Sequence, residues 1–451
     1  MASALLKSIS QQRTIENAWR VIQENARTST SETVRKEIDD FAEDAGGKVR
    51  SLCHSLSRNK FEFGKARGIP TPKRNAQGQK TGKFRPIVLA SVEARIVQRA
   101  VLEVLMEVKA LGPFIQTPYS FGGLRKKKTA EPQHKKDNPS AVPAAIKAVL
   151  AAIEGGATHF ASADIRSFFT RISKPAVTRI IGEAVDDAEF VAFFEKAIAV
   201  ELSNMAELRE KATAFPIEEI GVAQGNSLSP LLGNIILAAF DNEMNEGDCR
   251  CIRYIDDFII LAPTAKAANA RLKKATALLA GLEMELSPEK SSKGASPVSD
   301  GFEFLGIEIR PGIIRPAAKA QRKVVQSIAA AFTDTRKSFN EFKSGKPLRR
   351  SQSLISTLKR VEGIIEGWGK HYWFCNDKQI LEQLDIQIVE CARGFLGAYR
   401  TIRSSLPPAK QHALLGIPAL SQLERFPFSY PKVRPKEPDY GLGDTIGIAA
   451  T

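Results

Sequence analysis

The 451-residue chain carries 65 Lys and Arg against 50 Asp and Glu, a net charge of +15, and is 43% hydrophobic. Such a chain can bury the cores of two or three domains, and its charge favours a polyanionic partner, nucleic acid ahead of a membrane surface. It has no run of 18 apolar residues, no signal-like leader and no C-x-x-C among its five cysteines, so the expectation is a cytoplasmic protein without membrane contact, zinc ribbon or disulfide framework.

Residues 1–58 read as helical. Leu5, Ile9, Ile15, Trp19 and Ile22 make one stripe, and Val34, Ile38, Phe41 and Val49 make another across 34–56. Residues 59–90 are rich in Gly, Pro, Lys and Arg and end in Arg85-Pro86-Ile87-Val88-Leu89, the pattern of a basic hairpin. Lys83 and Arg85 could close on a triphosphate there, or the segment is a solvated loop. A helix over 92–108 follows, then the turn Ser120-Phe121-Gly122-Gly123 and a basic insertion at 125–136 suited to phosphates or plain solvation.

His159-Phe160-Ala161-Ser162-Ala163-Asp164 reads as a strand that delivers a carboxylate to its end, before a helix starting near Lys174-Pro175. Gly221 to Pro230 is a Gly-punctuated loop containing Gln224-Gly225 and leading into a helix at Ser229-Pro230. The stretch Arg253-Tyr254-Ile255-Asp256-Asp257-Phe258-Ile259-Ile260-Leu261 reads as two buried strands around a tight turn, with two carboxylates at its tip. Carboxylates so placed need compensating positive charge, and a divalent cation held by Asp256 and another Asp would supply it. Taken alone, the same four residues also suit an ordinary solvated Asp-Asp turn. Phe302 to Ile309 alternates around Gly306 as a strand pair. Three basic helices are expected over 316–342, 347–374 and 377–403, with a Pro-rich tail beyond. The cluster Trp368, His371, Tyr372, Trp373 and Phe374 suits core packing better than base stacking.

In order, Asp164-Ile165-x-x-Phe168-Phe169, Gly221-x-x-Gln224-Gly225-x-x-x-Ser229-Pro230 with Asn234, Tyr254-x-Asp256-Asp257, Lys290, and Phe304-Leu305-Gly306 resemble the palm motifs of the reverse transcriptase family. Lys83-x-Arg85-Pro86-Ile87, Arg95-Ile96-Val97-Gln98 and Ser120-Phe121-Gly122 resemble the finger motifs of its group II intron-like bacterial members. The chain is most similar to stand-alone, defence-associated reverse transcriptases of that type. Ala223 and Ile255 depart from the family's usual Pro and Ala.

The resemblance implies an α+β right-hand polymerase fold. Its parts would be a helical extension (1–58), fingers (59–158), a palm (159–312), an all-α thumb (313–405) and a tail (406–451). It implies RNA-directed DNA synthesis with two Mg²⁺ ions, Mn²⁺ being a substitute, held by Asp164, Asp256 and the main-chain carbonyl of Ile165, with Asp257 as supporting acid. Lys83, Arg85, Ser167, Phe168, Phe169, Gln224, Gly225 and Lys290 would meet the nucleotide, and Tyr254, Phe304, Leu305 and Gly306 the primer. Phe169 would act as a gate against the ribose 2′-hydroxyl. Expected partners are dNTPs, a structured non-coding RNA template and the DNA product. A homo-oligomer is open, as is a role in anti-phage defence. The alternatives are a non-catalytic, maturase-like RNA binder and template-independent or protein-primed synthesis from Tyr430 or Tyr440.

Overall fold

The stripes of the first sixty residues fold as four helices rather than two: α1 (Ala4–Ser10), α2 (Gln12–Arg27), α3 (Glu32–Ala42) and α4 (Ala45–Ser57). The breaks are local. Gln11 turns extended, and Asp44 takes the N-cap of α4 by accepting from the Gly47 amide at 3.0 Å. The computed structural model describes residues 3–27, 29, 31–74, 79–124, 140–417, 420 and 423–430; the basic insertion at 125–136 and Tyr440 lie outside them.

The basic hairpin is present as β1 (Arg67–Arg74) and β2 (Lys80–Leu89), paired antiparallel. Helix α5 (Val92–Leu105) is buried along most of its length, and α2 packs on it. Then come α6 (Gly112–Ile115), β3 (Ser120–Phe121), α7 (Ala141–Glu154) and β4 (His159–Asp164). Next are α8 (Lys174–Val185), α9 (Ala188–Ile198), α10 (Met205–Leu208), α11 (Ser229–Ile236) and α12 (Ala238–Met244).

Strands β5 (Arg250–Tyr254) and β6 (Asp257–Ala262) form the expected hairpin, followed by α13 (Ala265–Gly281) and the short β7 (Ser296–Pro297). The sheet order is β3-β5-β6-β4-β7, antiparallel except for the β3–β5 pair. Its central strand is covered on both faces, which explains the unbroken apolar run. Phe258 and Ile260 face a core shared with α5, α9 and α11, whereas Ile259 and Leu261 face one shared with α7. That second core also takes in Phe302 and Phe304 of β8 (Phe302–Phe304) and Ile307 and Ile309 of β9 (Ile307–Arg310). Strand β10 (Ile313–Pro316) completes a small antiparallel sheet of order β10-β9-β8.

The chain divides into two units, Met1–Lys323 with His371–Glu382, and Val324–Lys370 with Gln383–Thr451. The second unit draws on α14 (Ala318–Lys343), α15 (Leu354–His371), α16 (Lys378–Ser404) and α17 (Pro408–Leu415). Its core stacks Phe332 on Phe395 at 4.6 Å, with Phe339 at 6.1 Å from Phe395. The aromatic cluster at 368–374 is split. Trp368 packs in the helical core and Tyr372 and Phe374 in the first unit's, while Trp373 is half-exposed. The α+β class holds.

Asp187 ties the start of the chain to α9. One carboxylate oxygen caps the helix at the Phe190 amide (3.0 Å), and the other accepts from the Ser3 hydroxyl (2.6 Å). Asp187→Ala should therefore lower unfolding stability by about 1–2 kcal/mol, read from urea denaturation, because cap and tether go together.

Candidate active site

Antiparallel pairing of β4 with β6 sets Asp164 opposite Asp257. One residue further, the Ile165 amide donates to the Asp256 carbonyl at 2.9 Å. Acids ninety-two positions apart in sequence are thus joined through the backbone of one sheet end. Asp164 is 5% exposed, and Asp256 and Asp257 are half-buried.

Crowding shows in their chemistry. Burial, then the neighbouring Asp164 carboxylate, pushes Asp256 above the usual carboxylate range. Burial, the hydrogen bond with Asp164 and the charge of Asp256 push Asp257 up to about 7. The counter-charge comes from Lys290, whose ammonium sits 2.6 Å from an Asp164 oxygen. Burial works against that charge, but the Asp164 hydrogen bond and the three carboxylates outweigh it and raise the lysine's pKa.

Lys290 is delivered by a turn docked beside β4, in which the Lys290 and Ser291 amides donate back to the Ser287 carbonyl at 3.2 and 3.0 Å. The Ser287 amide donates to the Asp164 carbonyl (2.7 Å), the Ser292 amide to the Ser162 carbonyl (2.7 Å), and the Ser291 hydroxyl accepts from the Asp164 amide (3.3 Å). Glu289 reaches the other way and pairs with Lys83 of β2 at 3.1 Å. Arg85, exposed on the same strand, lies close enough to bear on the charge of Asp256. The Val88 amide donates to the Gln224 carbonyl (3.2 Å), which fastens the Gln224-Gly225 loop to the hairpin. Gly225, at φ +111°, passes so near that strand that a Cβ would stand 3.4 Å from the Val88 carbonyl.

Three of the non-glycine residues at positive φ fall within the motifs expected from the sequence. Ile255 (φ +60°), Ser167 (+51°) and Leu305 (+53°) all adopt left-handed conformations. For β-branched Ile255 this costs of order 1–3 kcal/mol and must be held by its surroundings. Gly122 explains the close approach of the Ser120-Phe121-Gly122 turn, because a Cβ there would lie 2.7 Å from the Tyr254 ring. Phe168 is buried, and Phe169 beside it packs half-buried at 5.3 Å. Phe304 is a core residue at 4% exposure, so Leu305-Gly306 in the β8–β9 turn is the part of that motif open to a ligand.

Among the described residues, no three His, Cys, Asp or Glu side chains form a ready-made metal cage. Lys290 already occupies one Asp164 oxygen. The donor set nevertheless fits a hard divalent cation: it is all carboxylate oxygen, gathered at a strand end, and short of positive charge.

Residues 71–309 match the reverse transcriptase (RNA-dependent DNA polymerase) family. The chain belongs to that family. Protein YkfC of Escherichia coli (strain K12) is 26% identical, over 59% of this chain and 74% of its own length. Among solved structures, a partial Cas6-RT-Cas1–Cas2 complex aligns with 62% of this chain at 19% identity and a TM-score of 0.34. A telomerase from Candida albicans in complex with a fragment of telomeric RNA aligns with 78% at 12% identity and a TM-score of 0.37. The chain spans 43% and 63% of the lengths of those two. No helix among the described residues is long and apolar enough to cross a membrane.

Lys290 stands among the residues expected from the sequence, but two contributors beside it do not: Asp241 of α12, whose carboxylate meets Arg253, and Glu289, which meets Lys83. Their partners lie on other elements, 12 and 206 positions away.

A carboxyl whose pKa rises on folding binds more protons folded than unfolded between its two pKa values. It therefore costs stability as pH climbs from about 4 to about 7. Asp257→Asn should raise the melting temperature of metal-free protein at pH 8, and the gain should shrink as pH falls toward 4. A gain that does not depend on pH would contradict the crowding.

Proposed function

We propose that the chain is an RNA-directed DNA polymerase working from the cluster of Asp164, Asp256 and Asp257. The observation that carries the reading is the convergence of these three acids, with Lys290 among them and the Lys83/Arg85 hairpin beside them. Asp164 and Asp256 would hold the metal ions with help from the Ile165 carbonyl, and Asp257 would support them. Two Mg²⁺ ions, or Mn²⁺ in their place, would supply Lewis acidity to lower the pKa of a primer 3′-hydroxyl and neutralise leaving pyrophosphate.

The rest of the chemistry falls to the chain. Lys83 and Arg85, on a β-hairpin rich in cations, would take the triphosphate. For Lys83 this means exchanging Glu289, an exposed partner of little energetic weight, for phosphate oxygens. The turn at Ser167-Phe168 would present backbone to the same phosphates. Gln224-Gly225 would lie by the base and sugar, and Phe169 under the sugar would discriminate against a 2′-hydroxyl. Lys290 would leave Asp164 for the metals and stand by the departing pyrophosphate. Tyr254, held on Gly122, and the Leu305-Gly306 turn would seat the primer end.

In this reading 59–158 are the fingers, 159–312 the palm and 313–405 the thumb, with 1–58 a helical extension and 406–451 a tail. A structured RNA is the preferred template, supported by the net charge of +15 and the Lys- and Arg-rich 316–403. The likeness of the motifs to stand-alone bacterial enzymes supports a setting in phage defence.

Purified protein with a primed RNA template, Mg²⁺ and dNTPs should make DNA that Asp256→Ala cannot make, with activity down by at least about a thousandfold. Phe169→Ala should keep extension with dNTPs while admitting rNTPs. Equal products from wild type and Asp256→Ala would end the catalytic reading in favour of a non-catalytic RNA binder.

A further inference from the structure

Among the described residues, Arg253 is the largest side chain sealed from solvent, at 0% exposure, and it is charged. Its partner Asp241, on α12, is 2% exposed. The guanidinium meets Asp241 through two parallel hydrogen bonds, Nε to Oδ1 at 2.8 Å and Nη2 to Oδ2 at 2.5 Å. Nη2 also reaches Asn234 Oδ1 at 3.2 Å, and Nη1 donates to the main-chain carbonyl of Ile255 at 2.8 Å. Asn234 is itself fixed, accepting from the Ser120 hydroxyl (2.9 Å) and donating to the Phe114 carbonyl (3.1 Å).

Stability alone is a poor account of this arrangement. A buried ion pair gains little over a well-packed apolar pair of similar volume, because both charges must leave water. What an apolar pair lacks is the N–H aimed at Ile255. That carbonyl belongs to the left-handed residue immediately before Asp256, in the turn whose next carbonyl accepts from the Ile165 amide. If the Ile255 carbonyl swings free, the turn can relax toward negative φ, carrying Asp256 away from Asp164.

We propose that Arg253 is a positioning residue for polymerisation: its fork, anchored on Asp241 and Asn234, clamps the strained turn and so aims the Asp256 carboxylate. This rests on the polymerase reading. A lysine at 253 can balance Asp241, but its single ammonium cannot span the anchor and the turn together. An Arg253→Met/Asp241→Leu pair removes both charges and fills similar volume, so neither partner is left buried and alone.

Both variants, wild type and an Asp256→Asn control are compared by thermal melting, by Mn²⁺ binding to nucleic-acid-free protein using electron paramagnetic resonance, and by primer extension. R253K and R253M/D241L should melt close to wild type, bind Mn²⁺ more weakly, and extend with kcat lower by roughly ten- to a hundredfold at nearly unchanged dNTP KM. Wild-type Mn²⁺ affinity and kcat in either variant overturns the proposal. So does a melting loss that accounts for the activity loss in both, since the pair is then structural alone. Wild type that binds Mn²⁺ through Asp256 but makes no DNA defeats the polymerase reading instead, and the Mn²⁺ comparison still decides whether Arg253 aims Asp256.

Discussion

The structure turns on a single stretch of backbone pairing. Two strands buried on both faces run antiparallel, and their ends place Asp164 opposite Asp257 with the Ile165 amide on the Asp256 carbonyl. Everything nearby is arranged around the resulting excess of negative charge. Covering helices keep water off the strands, which raises the cost of ionising the acids, and Lys290 stands in as counter-charge. A site that holds its carboxylates against their own repulsion is prepared for a cation that would relieve it. The strain and burial this requires, at Ile255 and at the acids themselves, are held by the surrounding fold.

The scaffold explains how such strain persists. Ile255 sits where glycine would be at ease, with its carbonyl taken by Arg253, its neighbour Tyr254 backed by Gly122, and Tyr254 and Asp257, on either side of the two-residue turn, paired in ladder register. Each constraint comes from a different part of the chain: α11 and α12 through Asn234 and Asp241, and the β3 turn through Gly122. The motifs far apart in sequence are therefore coupled by packing as well as by shared chemistry. The 287–292 segment adds a second coupling, because Glu289 and Lys290 point one to the hairpin and the other to the acids.

Much of this was legible because buried strands and amphipathic helices leave periodic traces. The Asp-Asp hairpin, the strand ending in Asp164, the basic hairpin and the three long helices all follow from apolar spacing and turn residues. The break at Gln11 was not legible, since neither Gly nor Pro marks it; the break at Asp44 is marked by an N-cap residue and by Gly46-Gly47, but the apolar stripe continues across it. Helix α9 does carry a helical period, in Phe190, Phe193, Phe194 and Ala197, and was legible in principle, whereas α10 with four residues is too short to show one. The Arg253–Asp241 pair was invisible for another reason: a charged residue inside an apolar strand shows no partner until helix and sheet are packed. Phe304 reads as an available aromatic because alternation gives a residue's face but not which face is covered.

The central claim is that Asp164 and Asp256 share metal ions. Crystals grown with Mn²⁺ and a non-hydrolysable dNTP analogue, examined by anomalous diffraction, test it most directly. The account predicts two Mn²⁺ peaks roughly 3.5–4 Å apart, ligated by Asp164 and Asp256, with the Lys290 ammonium withdrawn from Asp164. Lys290 still seated on Asp164, with Mn²⁺ absent or bound elsewhere, would contradict it.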